Sequence, residues 1–162
     1  MRVSSVFVAL ACLAAAGFAP QAMAAEVKQT IKLHQQPPAL VSVDLGTAGN
    51  SDGDMLAFQA ALEGSGGAKA TLYGLLITVD IPDGADKTED RAGQIYVDFG
   101  GGNSIVVAGR SVYGGGEKEM PKGAPQLRAV IGGTGAYIGA RGQVTTVRNA
   151  DNSYDHVIEL LD

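Results

Sequence analysis

Seven side chains in strand-like segments have the chemistry to hold or convert a small organic molecule: Tyr73, Tyr96, Asp98, Arg110, Tyr113, Tyr137 and Arg141. A guanidinium can stabilise a developing oxyanion, a carboxylate or phenol can orient a substrate or move a proton, and a phenol ring adds flat apolar surface. Strand alternation places Tyr96 and Asp98 on one face of their segment, and Ala108 and Arg110 on one face of the next. If those faces turn inward, Asp98 and Arg110 can pair across a hairpin inside a cavity. If they turn outward, each meets solvent, and the pattern by itself favours neither.

Other chemistries fail on spacing. Gly133-Thr134-Gly135 begins like a dinucleotide-binding loop, but the sixth position is Ile138 and a strand follows where a phosphate-cradling helix is required. His34 and His156 are the only histidines and stand in no metal-ligand spacing, while Asn50 to Asp54 lacks the distal glutamate of a calcium loop. Ser111 follows Arg110 in "AGRSVY" and sits in no G-x-S-x-G elbow, so it reads as an ordinary strand serine. Neither dinucleotide nor metal binding is expected from these spacings.

The elements that must position these groups begin after a leader. Met1 to Ala24 has one charge, Arg2, an apolar stretch from Val6 to Phe18, and Ala22-Met23-Ala24 in small-x-small order, which predicts a signal peptide cleaved before Ala25. The apolar run is too short to span a bilayer, so no membrane anchor is expected. Cys12, the single cysteine, falls in that leader, preceded at three residues by Ala9 instead of the leucine of a lipoprotein signal. The 138 residues from 25 to 162 are expected to form one domain, without disulfides, in the periplasm or outside the cell. Loss of Arg2 takes the formal charge from −5 to −6, and no Lys/Arg cluster is present, which excludes nucleic acid as a partner class.

Beyond the leader, apolar residues recur with period two between glycine and proline punctuation. "VKQTIKLH", "ALVSVDL", "DMLAFQAALE", "KATLYGLLITVDI", "GQIYVDF", "NSIVVAGRSVY", "QLRAVIGG", "YIGARGQVTTVRN" and "SYDHVIELL" read as eight or nine strands. "DMLAFQAALE" also fits a helix face, but its neighbours are strands. Pro82-Asp83-Gly84 ends the fourth segment, a charged loop through Asp90 and Arg91 precedes the fifth, and Gly100 to Asn103 reads as a hairpin turn. So many short strands in one domain predict a closed barrel or a sandwich. Glycines inside strands, among them Gly74, Gly109, Gly139 and Gly142, suit a tightly coiled barrel.

The order of motifs from Gly53 to Val144 resembles the superfamily of allene oxide cyclases and dirigent proteins. Gly53-Asp54 with Phe58, Gly109-Arg110, Glu119-Met120-Pro121, and Gly132-Gly133-Thr134-Gly135 with Tyr137, Ala140, Arg141 and Gly142 match the dirigent pattern, and Gly142-Gln143-Val144 echoes the cyclases. The resemblance implies an all-β fold, an eight-stranded antiparallel β-barrel with an apolar cavity, usually a homotrimer, working without a cofactor. It also implies that Arg110 stands near the pocket. The acid that such proteins carry on the first strand is replaced in "TIKLHQQPP", where Lys32 or His34 stands instead, and the cyclase cysteine and asparagine fall near Leu76 and Ala60.

The expectation is therefore a secreted or periplasmic barrel whose cavity binds a small apolar or aromatic molecule as a cofactor-free cyclase or isomerase. Arg110 would stabilise an oxyanion, Asp98 would orient the substrate or move a proton, and Tyr73, Tyr96, Tyr113 and His34 would line the ligand. The alternatives are a lipocalin-like carrier without chemistry and a structural or interaction barrel whose interior is filled.

Overall fold

A computed structural model describes residues 26–80 and 88–162. The expected leader and the strand stop at Pro82-Asp83-Gly84 lie outside the described residues. Nine strands form one antiparallel sheet: β1 (Val27–Gln35), β2 (Ala39–Val43), β3 (Met55–Gly64), β4 (Lys69–Asp80), β5 (Thr88–Gly100), β6 (Asn103–Gly114), β7 (Gln126–Thr134), β8 (Gly142–Arg148) and β9 (Tyr154–Leu161). From β3 to β9 each strand pairs with its successor, β9 pairs with β1, and β1 returns to β3. The sheet closes into the eight-stranded antiparallel barrel that the resemblance implies. Closure runs through three residue pairs of β1 and β3, Leu33 to Gln35 with Gly64 to Leu62, while β2 is bonded on one side only.

Nine segments make eight barrel strands because β1 and β2 share one edge of β3. Leu33 to Gln35 pair with Gly64 to Leu62, and Ala39 to Val43 continue along the same strand from Gln59 to Met55. Pro37 and Pro38 interrupt the ladder between them, since proline brings no N–H and fixes φ. "DMLAFQAALE" is a strand: Leu56, Ala60 and Leu62 turn inward with period two.

Two boundaries differ from the sequence reading. The charged segment through Asp90 and Arg91 is part of β5, which starts at Thr88. Its inward charges, Glu89 and Arg91, neutralise each other, so charge does not force the chain into a loop there. Conversely Tyr137 to Arg141 are not strand, and β8 begins at Gly142. Gly135 (φ +58°) and Gly139 (φ +78°) take backbone conformations that L side chains rarely adopt, and they turn the chain around this corner.

The barrel has two different ends. At the end of the β5–β6 turn, Leu62, Leu72, Val97, Ile105, Val130 and Ile158 form a solid core, with the tilted Phe99 and Tyr137 rings 5.0 Å apart packed against it. Thr134 Oγ1 donates to the Gly102 carbonyl at 2.8 Å, and the Ala136 N–H donates to Asn103 Oδ1 at 2.9 Å, so the glycine-rich signature fastens this closed end. At the other end a smaller cluster of Leu56, Leu76, Tyr113, Met120 and Tyr154 lies beneath the segment that joins β6 to β7. Gly74 makes room between the two: a Cβ there would lie 2.0 Å from Phe58 Cζ, so the Phe58 ring can lie flat on the β4 backbone.

Candidate functional site

Strand alternation sends Gln35, Phe58, Tyr113, Arg128, Thr146, Tyr154 and His156 inward at the mouth, from six different strands. Together with Leu56, Leu72, Ile95 and Met120 they enclose a cavity of about 40 Å³. That is room for about three waters. The Glu119–Met120 strap forms one side of it.

The strap is tied down by charge. Glu119 accepts from Arg148 Nη2 at 2.5 Å and from the Tyr154 hydroxyl at 3.1 Å, while Arg148 Nη1 donates to the Met120 carbonyl at 3.1 Å. Burial, reinforced by the Glu119 carboxylate, pushes the Tyr154 phenol well above its usual range, so it keeps its proton and donates a hydrogen bond to Glu119.

Deeper in the cavity the polar groups are held by neutral partners. His156 Nε2 faces Gln35 Oε1 at 2.8 Å and Nδ1 faces Thr146 Oγ1 at 3.0 Å. The Gln35 oxygen can only accept, so Nε2 carries the proton and Nδ1 accepts from the threonine. Burial, with the Arg128 charge nearby, pushes the His156 pKa down to about 4, which keeps the ring neutral. Arg128 is 5% exposed and sends Nε (3.1 Å) and Nη2 to Ser111 Oγ, with the Met120 sulfur 3.7 Å from Nη2. Among the described residues no carboxylate pairs with it. Burial weakens its hold on its proton, and the adjacent Tyr113 acts in the opposite direction, so the guanidinium remains a cation. Burial likewise raises the Tyr113 phenol.

A second polar knot stands beside the first. Arg91 pairs with Glu89, donates Nη2 to the Glu117 carbonyl at 2.7 Å, and lies 4.3 Å over the Tyr113 ring, a cation–π contact. Asn50 Nδ2 donates to Glu89 at 2.7 Å, as does the Gly116 N–H at 3.2 Å. Glu89 is fully buried, and its partners anchor the loops flanking the mouth.

Of the residues expected at the site, Tyr113 lines this cavity. The other five do not. Asp98 and Arg110 lie on the outer face and do not meet: in the β5–β6 ladder Asp98 stands opposite Ser104 and Arg110 opposite Ala92. Arg110 instead pairs with Asp90, and Asp98 accepts from the Gly100 N–H at 2.8 Å. The reason is the pleat, which turns Glu89, Arg91, Ile95 and Val97 inward and hence Asp90 and Asp98 outward. Tyr73 and Tyr96 also face out, 42% and 40% exposed, where they border an open apolar concavity of about 480 Å³ with Val41, Ala57 and Leu75. His34 turns outward between Leu33 and Gln35 and bonds Asp155 Oδ1 at 2.8 Å.

Sequence reasoning passed over Gln35, Glu119, Arg128, Tyr154 and His156 as site residues. A signal existed for three of them. Tyr154 and His156 share the inward period of Ile158 and Leu160, and Arg128 shares that of Val130.

The fold defines a class of architecture, a closed eight-stranded antiparallel β-barrel with, among the described residues, a polar cluster at one mouth. Among solved structures the chain is similar to "Pyocyanin demethylase", at 20% identity and TM-score 0.58 over 82% of this chain and 98% of that one. It is similar also to a nonspecific heme-binding cyclase that catalyses [4 + 2] cycloaddition during neoabyssomicin biosynthesis (14%, TM-score 0.60, 88% of this chain and 66% of that one). A third is the Diels Alderase AbmU from Streptomyces koyangensis (13%, TM-score 0.56, 88% and 71%). At these identities the likeness is one of fold. No family model matches the sequence, and no curated protein matches it significantly.

Proposed function

We propose that this protein binds a small, largely apolar or aromatic molecule in the mouth cavity and moves a proton on it, as a cyclase or isomerase that relies on its own side chains. The observation that carries the reading is the grouping, in one enclosed space, of Tyr113, Arg128, Tyr154 and His156 with Phe58 and Met120, beneath a strap held by Glu119. An apolar enclosure with few convergent polar groups is the ordinary form of a small-molecule site. The Glu119 carboxylate can take a proton from a bound substrate while Tyr154 holds it in place by a hydrogen bond, and His156 orients Gln35 and Thr146 without titrating near neutral pH. That pyocyanin demethylase and [4 + 2] cyclases are built on the same barrel supports a small organic substrate.

The protein works, on this proposal, as a homotrimer in the periplasm or outside the cell after loss of Met1 to Ala24. The exposed apolar face around Tyr73, Leu75, Ile77 and Val79 supports self-association. A carrier without turnover is the second reading, favoured by the strap's firm closure over a cavity of about 40 Å³.

Native mass spectrometry of the full chain purified from its own compartment tests the binding reading. A trimer carrying a bound organic mass that Phe58→Ala and Met120→Ala variants lose is the expected result. An empty protein that also fails to take up any aromatic probe would overturn it.

A further inference from the structure

The charges at the mouth do not balance. Arg91 is matched by Glu89 and Arg148 by Glu119, but Arg128, the arginine that lines the cavity, has only the neutral Ser111, Tyr113 and Met120 as side-chain partners among the described residues. Among the described residues the interior thus holds one surplus positive charge, in a chain whose formal net charge is −5. A buried cation held by neutral groups alone is costly, and the cost is recovered when an anion joins it.

From this we infer that the ligand is a monoanion, an aromatic or apolar carboxylate or an equally charged phenolate or enolate, whose acidic head binds Arg128. The inference rests on the cavity reading above. Nε and one side of Nη2 are fixed by Ser111, and Tyr113 is a further neutral side-chain partner of the guanidinium. The other contact of Nη2 is the Met120 sulfur, a weak acceptor carried by the strap. When the strap lifts and Met120 withdraws, Nη2 is free to grip an anionic oxygen through a charge-assisted hydrogen bond. The anion takes the place of a thioether, and the ring or chain behind it lies against Phe58 and Leu56. Lys118, exposed at the rim and lining the same cavity, adds positive potential along the entry path.

Titration calorimetry of the full-length protein with 2-naphthoate and 2-naphthamide, which share a ring and differ by one charge, tests this. The wild type should bind the naphthoate about tenfold or more tightly than the amide, the range of one charge-assisted hydrogen bond. Arg128→Met should abolish that preference, and Tyr73→Ser, on the outer face, should change neither affinity. Equal affinities in the wild type, or a preference that survives Arg128→Met, overturn the charge inference and leave the cavity reading standing. Failure of both probes to bind the wild type, or loss of both in Tyr73→Ser, overturns the cavity reading together with it. The wild-type ratio is decisive even if the Arg128 variant does not fold.

Discussion

The Tyr154 hydroxyl donates to Glu119 Oε1 at 3.1 Å, joining the first residue of the last strand to the strap that roofs the barrel mouth, 35 positions away. The same carboxylate is held by Arg148, so one side chain gathers the strap, β8 and β9. The gate and the proposed proton path are therefore one device.

Tyr154→Phe removes the hydrogen bond and leaves the ring. Amide exchange in residues 117–121 should quicken, and stability should fall by about 1 kcal/mol. Glu119→Gln, which also weakens the Arg148 pair, should quicken it further. Hydrogen-exchange mass spectrometry reads both, and unchanged protection of the strap in both variants would show that the latch does not hold it.

His156 makes stability depend on pH. Its folded pKa, about 4, lies below the ordinary 6.5, so the unfolded chain takes up a proton that the folded one refuses. Stability is thus complete above pH 6.5 and declines as pH falls from there to about 4, by roughly 3 kcal/mol at most. The lowered carboxylates Asp54, Asp151 and Asp155 act below that window, where their own protonation begins to cost. Urea midpoints from pH 7.5 to 4.5 should slope in the wild type, and His156→Gln should remove most of the slope.

Arg128→Met should stabilise the empty protein, by about 1–3 kcal/mol, because a buried cation without a counter-ion is exchanged for an apolar side chain of similar length. Differential scanning fluorimetry reads the change as a higher Tm. A lower Tm would mean that the Ser111 contacts outweigh the desolvation of the charge.

On the outer wall, Leu75→Glu places a carboxylate amid Tyr73, Ile77 and Val79. Light scattering should then report monomer where the wild type reports trimer, with the circular dichroism of the strands retained. A wild-type monomer would remove this face from any role in assembly.

The barrel was legible because its causes are local. Period-two alternation in "TIKLH" and "YDHVIELL", the turn at Gly100 to Asn103 and the ordered signature around Gly132 to Gly142 each act within a few residues. Alternation, however, distinguishes two faces without saying which is inside. In β4, Leu72 and Leu76 point in while Tyr73, Leu75 and Ile77 point out, and all are apolar; in β5 charged residues occupy both faces. That left Asp98 and Arg110 as apparent cavity residues and hid Arg128.

The chain by itself determined that strands would form, where most of them turn, and that a closed sheet would bury one face of each. Only the tertiary structure decided which polar groups share the enclosed space. The contacts that assign them cross the chain, as between Gln35 and His156 or Glu119 and Arg148. Whether a buried charge is neutralised is a sum over neighbours that only folding brings together, and that sum sets Arg128 apart from Arg91 and Arg148.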